Sequence, residues 1–133
     1  MIDRLNHVAI AVPDLKAAAA FYRDVLGAQV SEPVDLLDHG VSTVFVQLSN
    51  TKLELITPLG DNSPIAGYLE KHPAGGLHHL CFQVHDMAKS IETISKAGVR
   101  TVSDPKPGSQ GKLVVFMHPK DTLGCLLELE ESS

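Results

Sequence analysis

This sequence predicts an α+β fold made of two tandem βαβββ modules, eight strands in all, with each module's helix lying on one face of its strands. Two observations carry the prediction. The stretch Leu77-His78-His79-Leu80-Cys81-Phe82-Gln83-Val84-His85-Asp86 repeats Leu5-Asn6-His7-Val8-Ala9-Ile10-Ala11-Val12-Pro13-Asp14 nearly position for position. The same succession of strand, helix and strand patterns follows each copy, which marks a duplicated structural unit. A length of 133 residues fits one domain spanning 1–133, with module one at about 4–57, a linker at 58–76 and module two at about 77–131.

In module one, Leu5 to Val12 alternates, with Val8, Ile10 and Val12 on one face and His7, Ala9 and Ala11 on the other. Pro13 stops the strand and Asp14 caps the next helix, predicted from Leu15 to Leu26. Leu15, Ala18, Tyr22, Val25 and Leu26 form its inward stripe, and Gly27 ends it. A short strand at Ala28 to Ser31, a polar loop from Glu32 to Gly40, and strands at Val41 to Leu48 and Lys52 to Thr57 complete the module.

The linker holds Ser63-Pro64, a cap followed by a proline at the first helical position, and so predicts a short helix anchored by Ile65, Tyr68 and Leu69. Module two then runs through a strand from Leu77 to Val84 and a helix from Met87 to Ala97, with Met87, Ile91 and Ile94 facing inward. Gly98 ends that helix, and a strand follows at Val99 to Val102. A Pro/Gly-rich loop from Asp104 to Gly111, a strand from Lys112 to His118, a turn over Pro119 to Leu123 and a last strand from Gly124 to Glu130 close the chain.

Composition narrows the function. Apolar residues make up 44% and charged residues 20%, enough for a real core. A net charge of −5 excludes nucleic acid as a natural partner, because phosphate contacts need a basic patch. No apolar run reaches the about 18 residues of a membrane span. No basic-then-apolar leader opens the chain, which predicts a cytoplasmic protein, or one of the mitochondrial matrix if a leader was removed. Cys81 and Cys125 both fall in predicted strands and are expected to be buried, reduced thiols.

The repeat singles out four residues. His7 and His79 lie 72 positions apart, as do Asp14 and Asp86. By strand parity both histidines point away from the helix-covered face, whereas His78 points into the helix–sheet core. The last strand of each module carries a matching acid, Glu54 in Leu53-Glu54-Leu55 and Glu128 in Leu127-Glu128-Leu129, while Glu130 is expected at the rim. A lone carboxylate in an apolar strand is costly to bury unless paired or bound to a cation. Two imidazoles and two carboxylates at equivalent places suit one divalent transition metal with open positions for substrate. Co²⁺, Ni²⁺, Mn²⁺ and Zn²⁺ all tolerate such donors. His39, His72, His85 and His118 lack the symmetry and are expected at turns or on the surface.

On these residues the chain resembles the vicinal oxygen chelate superfamily, the glyoxalase and bleomycin-resistance group. The resemblance implies a curved, mostly antiparallel eight-stranded sheet, a half-barrel cup with helices on its outer face and a metal in the cup. A closer resemblance is to the methylmalonyl-CoA epimerase family. It rests on the Leu5–Asp14 stretch, Asp61-Asn62-Ser63-Pro64-Ile65-Ala66, Gly75-Gly76-Leu77-His78-His79, and His118-Pro119-Lys120-Asp121 followed by Gly124-Cys125-Leu126-Leu127-Glu128-Leu129. That family's metal ligands fall on His7, Glu54, His79 and Glu128. Some epimerases carry a further carboxylate, taken as the second base, where this chain has Thr43.

The resemblance implies an isomerase acting on an acyl-CoA. A carboxylate removes the α-proton between thioester and carboxylate, a metal stabilises the resulting enolate, and a proton returns to the other face. Glu128 is the candidate for one acid/base and Glu54 for the other. Lys106, Lys112 and Lys120 are candidates for coenzyme A phosphates, and small members of the superfamily suggest a homodimer. Three alternatives share the fold: a glyoxalase I (lactoylglutathione lyase) type isomerase, an extradiol dioxygenase with a 2-His-1-carboxylate iron site, and a non-catalytic, metal-free ligand-binding dimer. The Ser63-Pro64-Ile65-Ala66 and His118-Pro119-Lys120 blocks favour the epimerase over glyoxalase I. The dioxygenase wants a longer chain, and retention of all four ligand-type residues speaks against the metal-free dimer.

Overall fold

A computed structural model describes residues 1–132. The chain divides into two compact units, residues 7–78, and residues 1–6 together with those from 79 onward. The predicted α+β class is present, and the second unit keeps the βαβββ order; the first has four strands after its helix, so the described residues hold nine strands rather than the predicted eight.

In the first unit the strands are β1 (Leu5–Ala11, whose first two residues belong to the other unit), β2 (Gln29–Val30), β3 (Val34–Leu36), β4 (Val41–Gln47) and β5 (Lys52–Pro58). They order as β2-β4-β5-β1, with β3 also beside β4. Pairings are antiparallel except β1 with β5, which is parallel. The predicted loop at 32–40 thus holds a strand. Ser42 Oγ donates to Asp35 Oδ1 across it at 2.7 Å, a cross-strand bond that composition alone does not reveal.

Helix α1 (Leu15–Ala20) starts where predicted, Asp14 Oδ1 accepting from the Ala17 backbone N–H at 3.0 Å. It continues as a wider π-helical turn over Phe21–Val25, Leu26 N–H reaching back five residues to the Phe21 carbonyl at 3.1 Å. That turn corrects the predicted stripe. Leu15, Ala18 and Tyr22 pack with Ile10, Val12, Val44, Val46 and Leu55. Val25 and Leu26 are instead 69% and 56% exposed, because the wider turn shifts the angular register of every later residue.

The other face of this unit's strands is covered too. Helix α2 (Pro64–Lys71) begins as predicted, Ser63 Oγ accepting from Ile65 N–H at 3.2 Å with Pro64 in the first turn. Ile65 packs on Ala9, Ala11, Val41 and Ile56, with Tyr68 and Leu69 at the margin. The small side chains at Ala9 and Ala11 let that helix approach.

The second unit contains β6 (Gly76–Val84, entering it from His79), α3 (Met87–Lys96), β7 (Lys106–Pro107), β8 (Leu113–Met117) and β9 (Leu127–Glu131). The order is β6-β9-β8-β7, with β6 and β9 parallel and the rest antiparallel. Asp86 caps α3 by accepting from Lys89 N–H at 3.0 Å. Met87 and Ile94 enter a core with Val84, Val115, Met117 and Leu129, and Ile91 packs against it.

Two boundaries need correction here. The predicted strand at 99–102 is a single bridge between Thr101 and Met117. Pairing resumes only at Lys106–Pro107, inside the predicted loop, because Ser103-Asp104-Pro105 interrupts the edge and Pro105 has no N–H to offer it. The last strand starts at Leu127 rather than Gly124. Thr122 Oγ1 donates to the Cys125 carbonyl at 2.6 Å and prolongs the preceding turn, so Cys125 is exposed and not a buried strand thiol. Among the described residues no helix is long and apolar enough to cross a membrane.

Candidate active site

In the first unit the parallel register sets Ala9 opposite Glu54. His7, two residues earlier on β1, therefore projects from the same face as Glu54. Its Nδ1 lies 2.9 Å from Glu54 Oε2, and the two residues are 3% and 7% exposed. The second unit repeats the arrangement. Cys81 is opposite Glu128, so His79 shares the face of Glu128, and His79 Nε2 lies 3.1 Å from Glu128 Oε1 with both residues buried. A phenylalanine stands across from each acid, Phe45 from Glu54 and Phe116 from Glu128, and Phe116 meets the His79 ring edge-on at 4.9 Å.

Of the four predicted residues, the structure thus joins His7 to Glu54 and His79 to Glu128. Burying a carboxylate without a partner is costly, and an imidazole at hydrogen-bond distance offsets part of that. Imidazole nitrogen and carboxylate oxygen are also the donors a borderline divalent ion accepts, so the residues fit such an ion chemically.

The other histidines stand apart from these pairs. His78 is half-buried and edge-on to Tyr68 at 5.2 Å. His39 belongs to a one-turn helix, His72 ends α2, and exposed His85 is 3.6 Å from Asp3. His118 Nδ1 accepts from Lys120 N–H at 3.2 Å and caps the Pro119–Asp121 turn. Cys81 is fully buried and in no disulfide among the described residues, in line with the predicted buried, reduced thiol.

Glu130 corrects an expectation. It is 7% exposed, not a rim residue, and accepts from Asn6 Nδ2 at 2.8 Å. It lines a polar cleft of about 520 Å³ in the second unit with Asn6, Gln83, Gln110 and Lys112. Of the three lysines proposed for coenzyme A, Lys112 alone belongs to that lining. The cleft was missed from sequence, although Gln83 and Glu130 share the parity of His79 and Glu128 and could have been placed on their face.

Thr43 is 0% exposed, and its Oγ1 has no hydrogen-bond partner among the described residues. Nearby in the second unit's chain, Asp121 accepts from Arg100 through the backbone N–H at 3.0 Å, Nε at 2.8 Å and Nη2 at 3.1 Å. Those bonds hold its carboxyl down at about 2.

The family model for the glyoxalase/bleomycin resistance protein/dioxygenase superfamily matches residues 6–116, and the chain belongs to that superfamily. It is 58% identical to the ethylmalonyl-CoA/methylmalonyl-CoA epimerase of Cereibacter sphaeroides, covering 98% of this chain and 99% of that one. It is 56% identical to the mitochondrial methylmalonyl-CoA epimerase of Homo sapiens, over 98% of this chain and 75% of the relative. A solved methylmalonyl-CoA epimerase in complex with methylmalonyl-CoA and NH4+ matches with a TM-score of 0.93 at 31% identity, covering 100% of this chain and 96% of that one. Within the superfamily, the chain belongs to the methylmalonyl-CoA epimerase family.

Proposed function

We propose that this protein is an isomerase interconverting (R)- and (S)-methylmalonyl-CoA by moving one proton at the carbon between the thioester and the carboxylate. The observation that carries the reading is the duplicated imidazole–carboxylate pair, His7 with Glu54 and His79 with Glu128, each set by the same parallel register. The identities with named epimerases support it over the glyoxalase I, dioxygenase and metal-free alternatives.

Inversion at one carbon requires a proton to leave one face and another to arrive at the opposite face. Glu128 and Glu54 are our two acid/base groups. Their histidines orient the carboxylates and help hold one divalent ion, whose proposed ligands are His7, Glu54, His79 and Glu128. When bound, that ion supplies Lewis-acid stabilisation of the negative charge that builds on the thioester oxygen. Co²⁺ is our first choice, with Mn²⁺, Ni²⁺ and Zn²⁺ as competitors. The flanking phenylalanines limit water around the acids, which strengthens charge interactions there. Lys112 is our candidate for a coenzyme A phosphate, and the proposed assembly is a homodimer, which sedimentation velocity tests.

The test is α-proton exchange in deuterated solvent with each epimer, alongside methylglyoxal plus glutathione and elemental analysis of protein purified without chelator. We expect exchange and inversion of methylmalonyl-CoA, about one divalent ion per chain in the scheme above, and no action on the hemithioacetal. A protein that turns over the hemithioacetal and leaves methylmalonyl-CoA untouched refutes the reading.

A further inference from the structure

We propose that the outward stripe of α1 and its π-helical turn, Ala17, Phe21, Val25 and Leu26, is the surface on which a second copy of this chain docks about a two-fold axis. The inference rests on the homodimer proposed above and gives it a location.

The duplication supplies an internal control. Each module's helix opens on a capping aspartate, Asp14 or Asp86, and ends on a glycine of positive φ, Gly27 at +70° or Gly98 at +85°. The first helix is one residue longer between those marks. The wide turn over Phe21–Val25 takes up the extra residue and rotates Val25 and Leu26 outward. Such turns are rare in helices and are frequent at functional sites. Counted on from the aspartates, Ala17 and Phe21 correspond to Lys89 and Thr93. Counted back from the glycines, Val25 and Leu26 correspond to Lys96 and Ala97.

On α3 those positions make a solvated face. Lys89, Thr93 and Lys96 are exposed, and Lys96 pairs with Glu92 at 2.9 Å. On the first helix the same line is apolar. Ala17 is exposed, Phe21 is 49% exposed and leans edge-on against Tyr22 at 5.7 Å, and Val25 and Leu26 each expose more than half their surface. Residues four apart line up along a helix, so Ala17, Phe21 and Val25 form one ridge with Leu26 at its end. The helix already gives Leu15, Ala18 and Tyr22 to the core, so this ridge is a second apolar stripe. A contiguous exposed apolar ridge, unlike a single exposed leucine, marks an interaction surface.

Charge selects the occupant. The chain carries a net charge of −5, so two copies repel each other unless the faces that meet are balanced. This face is balanced. Its exposed charges are Lys16, Arg23, Asp24 and Glu32, two of each sign, with Asp24 and Glu32 both acting on the Arg23 guanidinium. A balanced face is self-complementary across a two-fold axis. It offers no basic surplus to an anionic lipid surface. An apolar centre with mixed charge at its edge is also the layout of a protein–protein contact, in which the edge charges contribute little.

The experiment is sedimentation velocity over a dilution series, with far-UV circular dichroism and methylmalonyl-CoA inversion measured on the same samples. The variants carry module two's own residues: F21T, V25K and F21T/V25K. The control is L37K, at an exposed leucine off this face. Wild type is expected to be a dimer at about 10 μM. V25K should weaken the dimer about tenfold or more and F21T/V25K about 100-fold or more, with helix content kept because these side chains lie outside the core. The Tm of wild type should rise with protein concentration and that of F21T/V25K should not. L37K should sediment like wild type. Wild type that dimerises through this ridge yet leaves methylmalonyl-CoA untouched supports the inference and overturns the isomerase reading alone. A monomeric wild type overturns the inference together with the homodimer. A dimer that survives V25K and F21T/V25K unchanged, or that L37K disrupts as fully, overturns the inference and leaves the homodimer standing on another surface.

Discussion

The two modules share a frame and differ in what surrounds it. In each, the first and last strands run parallel, and the acid faces the residue two positions after the histidine. In each, a phenylalanine stands across from the acid. Beyond that the copies part. Module one continues the face with Ala9, Ala11 and Ile56, which α2 seals into an apolar wall. Module two continues it with Cys81, Gln83 and Glu130, the last two opening on a polar cleft. Duplication preserved the two imidazole–carboxylate pairs, His7 with Glu54 and His79 with Glu128. Divergence then gave the first unit an apolar wall and the second a polar cleft.

The strongest way to break this comparison is to neutralise one acid at a time. E54Q and E128Q keep shape and remove the base, and each is expected to lower inversion by about 10²- to 10⁴-fold. If the two acids serve opposite faces, the defects are not alike: each variant still exchanges the α-proton of one epimer with deuterium while losing the other. Nuclear magnetic resonance on each pure epimer reads this directly. Equal loss of both exchanges in both variants would mean that the carboxylates do not divide the faces between them.

A second substitution tests the seal over module one. Gly75 has φ +88°, and a Cβ there would collide with the Ala11 carbonyl oxygen on the strand that carries His7. G75A is expected to cost at least about 2 kcal/mol, from left-handed strain plus the displaced strand. Urea unfolding measures it. In module two, G124A has φ +85° but open space around the added carbon, so it should cost less.

A smaller effect falls on the polar side. K112A is expected to raise the KM for methylmalonyl-CoA about three- to tenfold with kcat within about twofold, the mark of lost uniform binding. The same variant should leave a pantetheine thioester lacking the nucleotide unaffected. A matched loss on the pantetheine substrate would move Lys112 from the phosphates to some other part of the cleft.

The frame was legible in the sequence and the surroundings were not, for a physical reason. His7, Glu54, His79 and Glu128 announce themselves through a period-2 pattern and a fixed repeat offset, both local properties of the chain. Asp14, Ser63 and Asp86 are legible because a cap acts within three residues. Glu130 was misjudged because its partner Asn6 is 124 positions away. Val25 and Leu26 were misplaced because one wide turn in α1 rotates them, and no single residue type signals that turn. The segment at 99–102 has strand composition, but its pairing fails beyond one bridge where Pro105 interrupts the edge. Thr43 was visible as a position, yet its unsatisfied hydroxyl exists only once three strands close around it.

The gentlest test uses acid to separate the modules. Each has an Arg–Asp pair near its helix. Arg23 and Asp24 are 54% and 64% exposed at 3.1 Å, a geometry in which solvent screening leaves little net gain. Arg100 and Asp121 differ, because the carboxylate also takes the Arg100 backbone N–H and thereby ties the segment after α3 to the turn before β9. Side-chain and backbone bonds from Arg100 lower the Asp121 carboxyl from 3.8 to about 2. A lowered folded-state value means that this pairing favours the folded chain at pH above 3.8 and that the help drains away as pH falls through about 2. D121N should therefore melt below wild type near neutral pH, with the gap closing between about pH 4 and 2. D24N should track wild type throughout. A D121N gap that holds constant down to pH 2 would show that the turn is held by its backbone alone, and that module two owes its last strand's placement to packing rather than to this ion pair.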